Sequence, residues 1–166
     1  MIEVTYTRLD INAGGGDVRR LLDYWESLRG DTFAPAWPAF DWADVPPAFI
    51  PHMGIVDVVA DPLDFVYRFW GTAHADVLDQ EMTGRSVREM VPKEEGESVF
   101  RQYQETLEAG KPMLFENRLT FGEYARPIIE TSLRLPFSDD GDAISHLMAF
   151  SDLREDFKYL KKALAT

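Results

Sequence analysis

Three histidines, His52, His74 and His146, and a large excess of carboxylates are the side chains from which chemistry would have to be built. The chain holds no cysteine, which excludes thiolate metal sites, cysteine nucleophiles, disulfides and cysteinyl-flavin photochemistry. The histidines are far apart and lack the i, i+4 spacing of a helical metal pair, so no metal ligand is assigned. His74 and Asp76 are close in sequence, but on a helix their side chains point apart. No serine lies in a nucleophile elbow, and Gly14-Gly15-Gly16-Asp17 is expected to follow no strand, as neither a dinucleotide fingerprint nor a phosphate loop. Most carboxylates fall in helical first turns or loops; an acid–base pair remains open to assembly in three dimensions. No catalytic residue is assigned, and the expected role is non-enzymatic.

Binding chemistry is better supported, through the pairing of strands. A turn near Asp140-Gly141 sets Phe137 opposite Ile144, Leu135 opposite His146, Leu133 opposite Met148 and Thr131 opposite Phe150. A turn near Tyr124 sets Leu119 against Ile129 and Asn117 against Thr131, with Arg118 and Glu130 as a cross-strand ion pair on the other face. The result is an apolar wall running from Met113 and Phe115 through Leu133 and Leu135 to Met148 and Phe150, interrupted by Asn117, Thr131 and His146. A buried polar group without a partner costs about 1–3 kcal/mol. These three either orient a ligand in an apolar pocket or bond a neighbouring backbone or helix, and His146 can also reach solvent at the turn end. In the first hairpin, a turn between Pro62 and Leu63 puts Asp57 opposite Arg68 in a face shared with Ile55, Val66 and Trp70. That pair is either structural, under a covering helix, or Arg68 anchors an anionic ligand; breaking a buried pair costs about 3–5 kcal/mol. The candidate ligand-binding set is Tyr67, Arg68, Asn117, Thr131, His146, Phe115 and Met148.

The elements that must hold these residues fit one domain, since 166 residues is an ordinary single-domain length. Residues 1–16 read as a flexible lead-in, 17–52 as a helix and a Pro/Trp-rich strap, 53–152 as the core, and 153–166 as a C-terminal helix. The spacing of Val18, Leu21, Leu22, Trp25 and Leu28 predicts a helix from Asp17 to Arg29, stopped by Gly30. Pro35, Pro38, Pro46, Pro47 and Pro51, interleaved with Trp37, Phe40, Trp42 and Phe49, predict an ordered strap over the core. Strands follow at Met53–Ala60 and Phe65–Gly71, short helices at Thr72–Gln80 and after Thr83, and a long helix at Lys93–Ala109. Three more strands follow, at Met113–Phe121, Pro127–Phe137 and Ile144–Ser151. The tail puts Phe157, Leu160 and Leu164 on one stripe; these or Trp25 are candidates to meet a protein partner or a second copy. Seventeen Lys and Arg against twenty-nine Asp and Glu leave a net charge of −12, which opposes both phosphate backbones and anionic lipid. No run approaches the roughly 18 apolar residues of a membrane helix, and Met1-Ile2-Glu3-Val4 carries no signal pattern; the expected location is the cytoplasm.

Phe65-Val66-Tyr67-Arg68-Phe69-Trp70-Gly71-Thr72, followed by Thr83-Gly84-Arg85-Ser86-Val87, resembles the second strand and short helices of a PAS domain. It is most similar to small bacterial PAS proteins with a Tyr-Arg-x-x-Gly-Thr strand end and a later Thr-Gly-Arg. Those proteins also carry a leading helix with Tyr-Trp, here Tyr24-Trp25, and a Pro-containing approach to the first strand. The resemblance covers Leu21 to Leu153. It implies an α+β fold: a five-stranded antiparallel sheet with helices on one face forming a pocket, plus flanking N- and C-terminal helices. It further implies a sensory or interaction module that binds an unknown small molecule, or dimerises, and signals through a partner; with the chain ending after one helix, a stand-alone module is expected. Lacking cysteine, the chain is not expected to hold covalent flavin, and no helix histidine is placed as a haem ligand, so the cofactor stays unknown. The rival is a small cone-shaped α+β isomerase or hydrolase acting on an apolar substrate. A further rival is a purely structural dimerisation module with a filled core.

Overall fold

The computed structural model describes residues 2–122 and 127–152. Six antiparallel strands form one sheet in the order β1-β4-β5-β6-β2-β3. They are β1 (Ile2–Leu9), β2 (Met53–Val59), β3 (Asp64–Trp70), β4 (Met113–Phe121), β5 (Ile128–Phe137) and β6 (His146–Asp152). The helices are α1 (Gly16–Arg29), α2 (Thr72–Leu78) and α3 (Lys93–Ala109). The hairpin β2–β3 precedes α2 and α3, and the β4–β5–β6 meander follows them, which is the expected α+β order.

Both faces of the sheet are covered, each for a reason visible in its sequence. On one face α1 lays its apolar stripe, Val18, Leu21, Leu22 and Trp25, on Ile55, Leu133, Leu135, Met148 and Phe150. Each such side chain contributes about 1.5–3 kcal/mol on burial. The strap lies on the same face through Val45 and Phe49, in short 3-10 turns set by its prolines. Trp25 is 1% exposed and donates its indole N–H to the Pro136 carbonyl at 2.8 Å. It is a core residue and not the partner-facing one that was expected. On the other face α2 and α3 cover Val56, Phe65, Tyr67, Leu147 and Ala149. The helices were expected over the face of Leu133, Leu135, Met148 and Phe150; that face instead carries α1 and the strap, and α2 and α3 lie on the opposite one.

Gly71 joins β3 to α2 where the chain passes the strap. A Cβ there would lie 2.2 Å from the Pro51 carbonyl oxygen and 2.6 Å from that of Met53. Both contacts are backbone, so only glycine fits.

Three expectations need correcting. Residues 2–9, expected as a flexible lead-in, form a strand that pairs with β4 along its whole length, from Ile2 with Phe121 to Leu9 with Leu114. Ile2, Val4 and Tyr6 alternate with exposed residues, a strand period that the glycine triplet obscured. That triplet therefore does follow a strand, and Gly14 is there for contact: a Cβ would sit 2.4 Å from Val18 Cγ1. The sheet accordingly has six strands where five were expected.

The second correction is the β4–β5 register. Asn117 pairs with Glu130, and Arg118 with Ile129, one residue away from the expected alignment. A one-residue slip moves every side chain of a strand to the other face. Phe115, Asn117 and Leu119 therefore do not share a wall with Leu133 and Leu135, and Arg118 does not meet Glu130. The β5–β6 register differs by two, with Leu135 opposite Met148 and Phe137 opposite His146, which preserves the face.

The third correction is the setting of Asp57 and Arg68. They do pair, at 2.8 Å, but their side chains are 39% and 48% exposed. The β2–β3 register shifts between Ile55 and Val56; the resulting bulge turns Arg68 outward.

Candidate functional site

The site is assembled between α3 and the sheet. Glycine, valine and tyrosine at Gly96, Val99 and Tyr103 give α3 a buried stripe at helical spacing, but Ser98, Gln102 and Thr106 on the same side are buried as well. Buried polar groups require partners, and Gln102 has four. Its Nε2 donates to Asn117 Oδ1 at 2.7 Å and to Ser98 Oγ at 3.2 Å. Its Oε1 accepts from Arg134 Nη2 at 3.0 Å, and its main-chain carbonyl accepts from Thr106 Oγ1 at 2.8 Å. Gln102 thus locks β4 and β5 to α3.

Arg134 is 4% exposed, in the middle of β5, with its guanidinium carbon 4.5 Å from the centre of the Tyr103 ring. An aromatic face attracts a cation electrostatically. Glu130 lies four residues earlier on the same face of the same strand, and Glu95 comes from the first turns of α3. These residues line a cavity of about 40 Å3 together with Tyr67, His74, Val99 and Leu119. That volume has room for about three waters.

Three polar atoms around this cavity are enclosed and lack a partner in hydrogen-bonding geometry among the described residues: Arg134 Nε, Tyr103 Oη and Glu95 Oε2. Tyr67 and Arg134 both lie close enough to the Tyr103 oxygen for hydrogen bonds from them to favour its ionised form, while no acceptor meets the Tyr103 proton in bonding geometry. Each such group is costly, at about 1–3 kcal/mol.

Electrostatics follow from burial. Glu95 is pushed up to about 8, by desolvation first and then by the negative charge of Glu130, with Arg134 opposing. Glu130 is also raised by desolvation, against hydrogen bonds from Ser151 and Asn117 and the charge of Arg134. Burial lowers His74 to about 4 and raises both tyrosines. At neutral pH the cavity therefore holds one permanent cation, Arg134, a protonated Glu95 and a neutral His74. Two carboxyls near one guanidinium cannot both ionise cheaply.

Of the residues expected to bind ligand, Tyr67 lines the cavity and Asn117 orients Gln102 beside it. Phe115 is on this face but packs its ring edge-on against Tyr6 at 5.6 Å, away from the cavity. Met148 belongs to the α1 core. Thr131 is half-buried on that same opposite face, paired with Glu116 and Asp152. His146 is on that face too, stacked under Trp37 at 5.3 Å, with Nε2 3.2 Å from Asp57 Oδ1 and Nδ1 2.9 Å from Ser145 Oγ. Phe157, Leu160 and Leu164 lie outside the described residues.

Sequence reasoning passed over Glu95, Tyr103, Glu130 and Arg134. A signal existed: in Glu130-Thr131-Ser132-Leu133-Arg134-Leu135, two opposite charges stand on one face of a strand that is otherwise apolar or small. Pairing Glu130 with Arg118 removed half of that signal, and Glu95 looked sufficiently explained by the positive end of the helix dipole. Among the described residues no group of three or more His, Asp or Glu side chains is placed to hold a metal ion. No helix among them is long and apolar enough to cross a membrane.

The PAS fold model matches residues 56–156. No curated protein matches the chain. Among solved structures, a fungal LOV domain photoreceptor is 10% identical, with 83% of this chain and 94% of that one covered and a TM-score of 0.43. An RNA-binding light-oxygen-voltage receptor is 11% identical, with 99% of this chain and 42% of that one covered and a TM-score of 0.40.

Proposed function

The chain belongs to the PAS fold family, and from that we propose that it is a sensory signalling module that takes a small molecule into the cavity between α3 and the sheet. The supporting observation is the convergence on that one cavity of three enclosed polar groups: Arg134 Nε and Glu95 Oε2, which lack a partner in bonding geometry, and Tyr103, whose proton meets no acceptor in that geometry. Folded proteins bury few unsatisfied polar groups, and a ligand bonding all three would relieve the cost. Drug-sized and cofactor sites run to about 300–1,000 Å3. At about 40 Å3 the cavity does not fit haem or flavin, so the ligand is small. Passing the signal to a protein partner or a second copy is part of the proposal and falls to the terminal segments, where Phe157, Leu160 and Leu164 form an apolar stripe in sequence.

The test is gentle native mass spectrometry on protein purified without added ligand, with an absorption spectrum beside it, on the wild type and on Gly54→Ala. Gly54 lines the cavity, and a Cβ there would meet Tyr67 Cε1 at 3.5 Å and Phe69 O at 3.8 Å, ordinary contacts. The variant narrows the cavity without disturbing the fold. A reproducible extra mass in the wild type, diminished in Gly54→Ala, is the expected result. An unliganded mass in both, with Gly54→Ala simply more stable, would overturn the proposal in favour of a structural module with a filled core.

A further inference from the structure

We propose that the ligand is a short-chain monocarboxylate, its carboxylate held by Arg134 Nε and Tyr103 Oη and its alkyl end against Val77, Val99 and Leu119. The proposal rests on the cavity being the ligand site. Three observations select this chemistry. The first is charge: Arg134 is a permanent cation on a residue only 4% exposed, and its free group is a donor. The second is donor complement, since Tyr103, fully buried, offers on the same cavity a hydroxyl proton that no acceptor meets in bonding geometry. Two donors, one of them on the cation itself, match the two oxygens of a carboxylate. The third is shape and lining. A volume of about 40 Å3 admits only a few heavy atoms, and the aliphatic side chains of Val77, Leu78, Val99, Leu119 and Ala149 suit an alkyl stub better than a second charged group.

Glu95 gives this site a condition. A carboxylate can enter only while Glu95 keeps its proton, which it would share with the incoming anion as an O–H···O bond; ionised, Glu95 repels it. The groups facing Glu95 across the cavity are Tyr67 on β3, His74 on α2, Tyr103 on its own helix, and Glu130 and Arg134 on β5. Burial keeps the tyrosines protonated and His74 neutral at neutral pH. The titrating pair is therefore Glu95 with Glu130.

Isothermal titration of the full chain with sodium acetate, propionate and butyrate decides the matter, with propionamide and sodium nitrate as controls, from about pH 6 to about pH 9. Propionate is expected to bind about tenfold or more tighter than propionamide or nitrate. Its affinity should fall by up to about tenfold per pH unit once Glu95 ionises, one proton being held per anion bound. Glu95→Gln, which keeps shape and removes the charge, should bind propionate with most of that pH dependence gone. Arg134→Gln should lose propionate; if it fails to fold, Glu95→Gln still decides. Propionamide matching propionate, nitrate matching propionate, or an unchanged pH slope in Glu95→Gln would each overturn the proposal. If no probe binds but the wild type carries a co-purified mass that Gly54→Ala loses, the carboxylate assignment fails and the cavity remains the ligand site. If that mass is missing too, both fall.

Discussion

Replacing Glu95 with glutamine should stabilise the protein at alkaline pH and flatten the dependence of its stability on pH. Burial and Glu130 raise the folded-state value of Glu95 from the usual 4.5 to about 8. Unfolded, the carboxyl ionises near its ordinary value, so between the two the folded state retains a proton that the unfolded state has lost. The free energy of unfolding then falls as pH rises through that window and levels off above about pH 8. Were Glu95 to carry the whole effect, the loss would be about 5 kcal/mol. Sharing with Glu130 and water reaching the carboxylate on local relaxation reduce this to about 2–3 kcal/mol. Urea unfolding followed by tryptophan fluorescence at intervals from about pH 5 to about pH 9 measures it, provided the slope m is common to both proteins. His74 and His146, both held low by burial, contribute the opposite slope on the acid side, but equally in both proteins, so they cancel in the difference. The wild type should lose about 2–3 kcal/mol more than Glu95→Gln between the ends of the range, with the two converging near the acid end. Parallel curves would refute the account of a Glu95 carboxyl enclosed in the cavity and protonated.

Gly71→Ala should cost about 2–4 kcal/mol, because its Cβ would collide with the Pro51 and Met53 carbonyls, which cannot rotate away; chemical denaturation reads this directly, and a cost below half a kcal/mol would contradict the close approach. Arg68→Gln should cost less than about 1 kcal/mol, since it and Asp57 are both well exposed; a loss of several kcal/mol would mean that the pair is buried after all. Trp37→Ala should raise the His146 value toward that of an ordinary imidazole, because Trp37 stacks on the ring and burial is the main cause of its lowering; NMR titration of the ring protons checks it, and an unchanged value would place the desolvation elsewhere.

The local structure was legible wherever one residue type punctuates a strong period. Lys93–Ala109 and Met113–Phe121 appear with the expected bounds, because Gly110 and Pro112 separate a helical period from an alternating one. The PAS-type order of elements was legible too, through Tyr67-Arg68 and Gly71-Thr72. What sequence could not fix was which face of each strand meets which helix. In a half-solvated sheet, alternation identifies the buried face; here α1 covers one face and α3 the other, so β4 presents Leu114 to one core while Phe115 is buried on the other. Both faces being apolar, the pattern tolerates a one-residue slip. That slip set Glu130 against Arg118 where the structure sets it against Asn117. It also left Arg134 without an explanation, although a lone arginine in an apolar strand was the strongest available sign of the site.

The covered faces also bear on how a bound molecule would be felt elsewhere. Alternate residues of the same strands touch the cavity and the α1 core: Arg134 and Leu135 on β5, Ala149 and Met148 on β6, Gly54 and Ile55 on β2. Two residues beyond Arg134, the Pro136 carbonyl accepts the indole N–H of Trp25, so β5 is tied to α3 through Gln102 and to α1 through Trp25. Close-packed cores transmit small displacements because they cannot absorb them. A ligand that drew Arg134 away from Gln102 would load both ties at once, and the sheet between α1 and α3 is the shortest physical route by which a change of charge in the cavity reaches the outer helix. Contiguity of this kind supplies a path and not a coupling energy; the energy would come from Glu95, whose gain or loss of a proton changes what α3 and β5 can bring together.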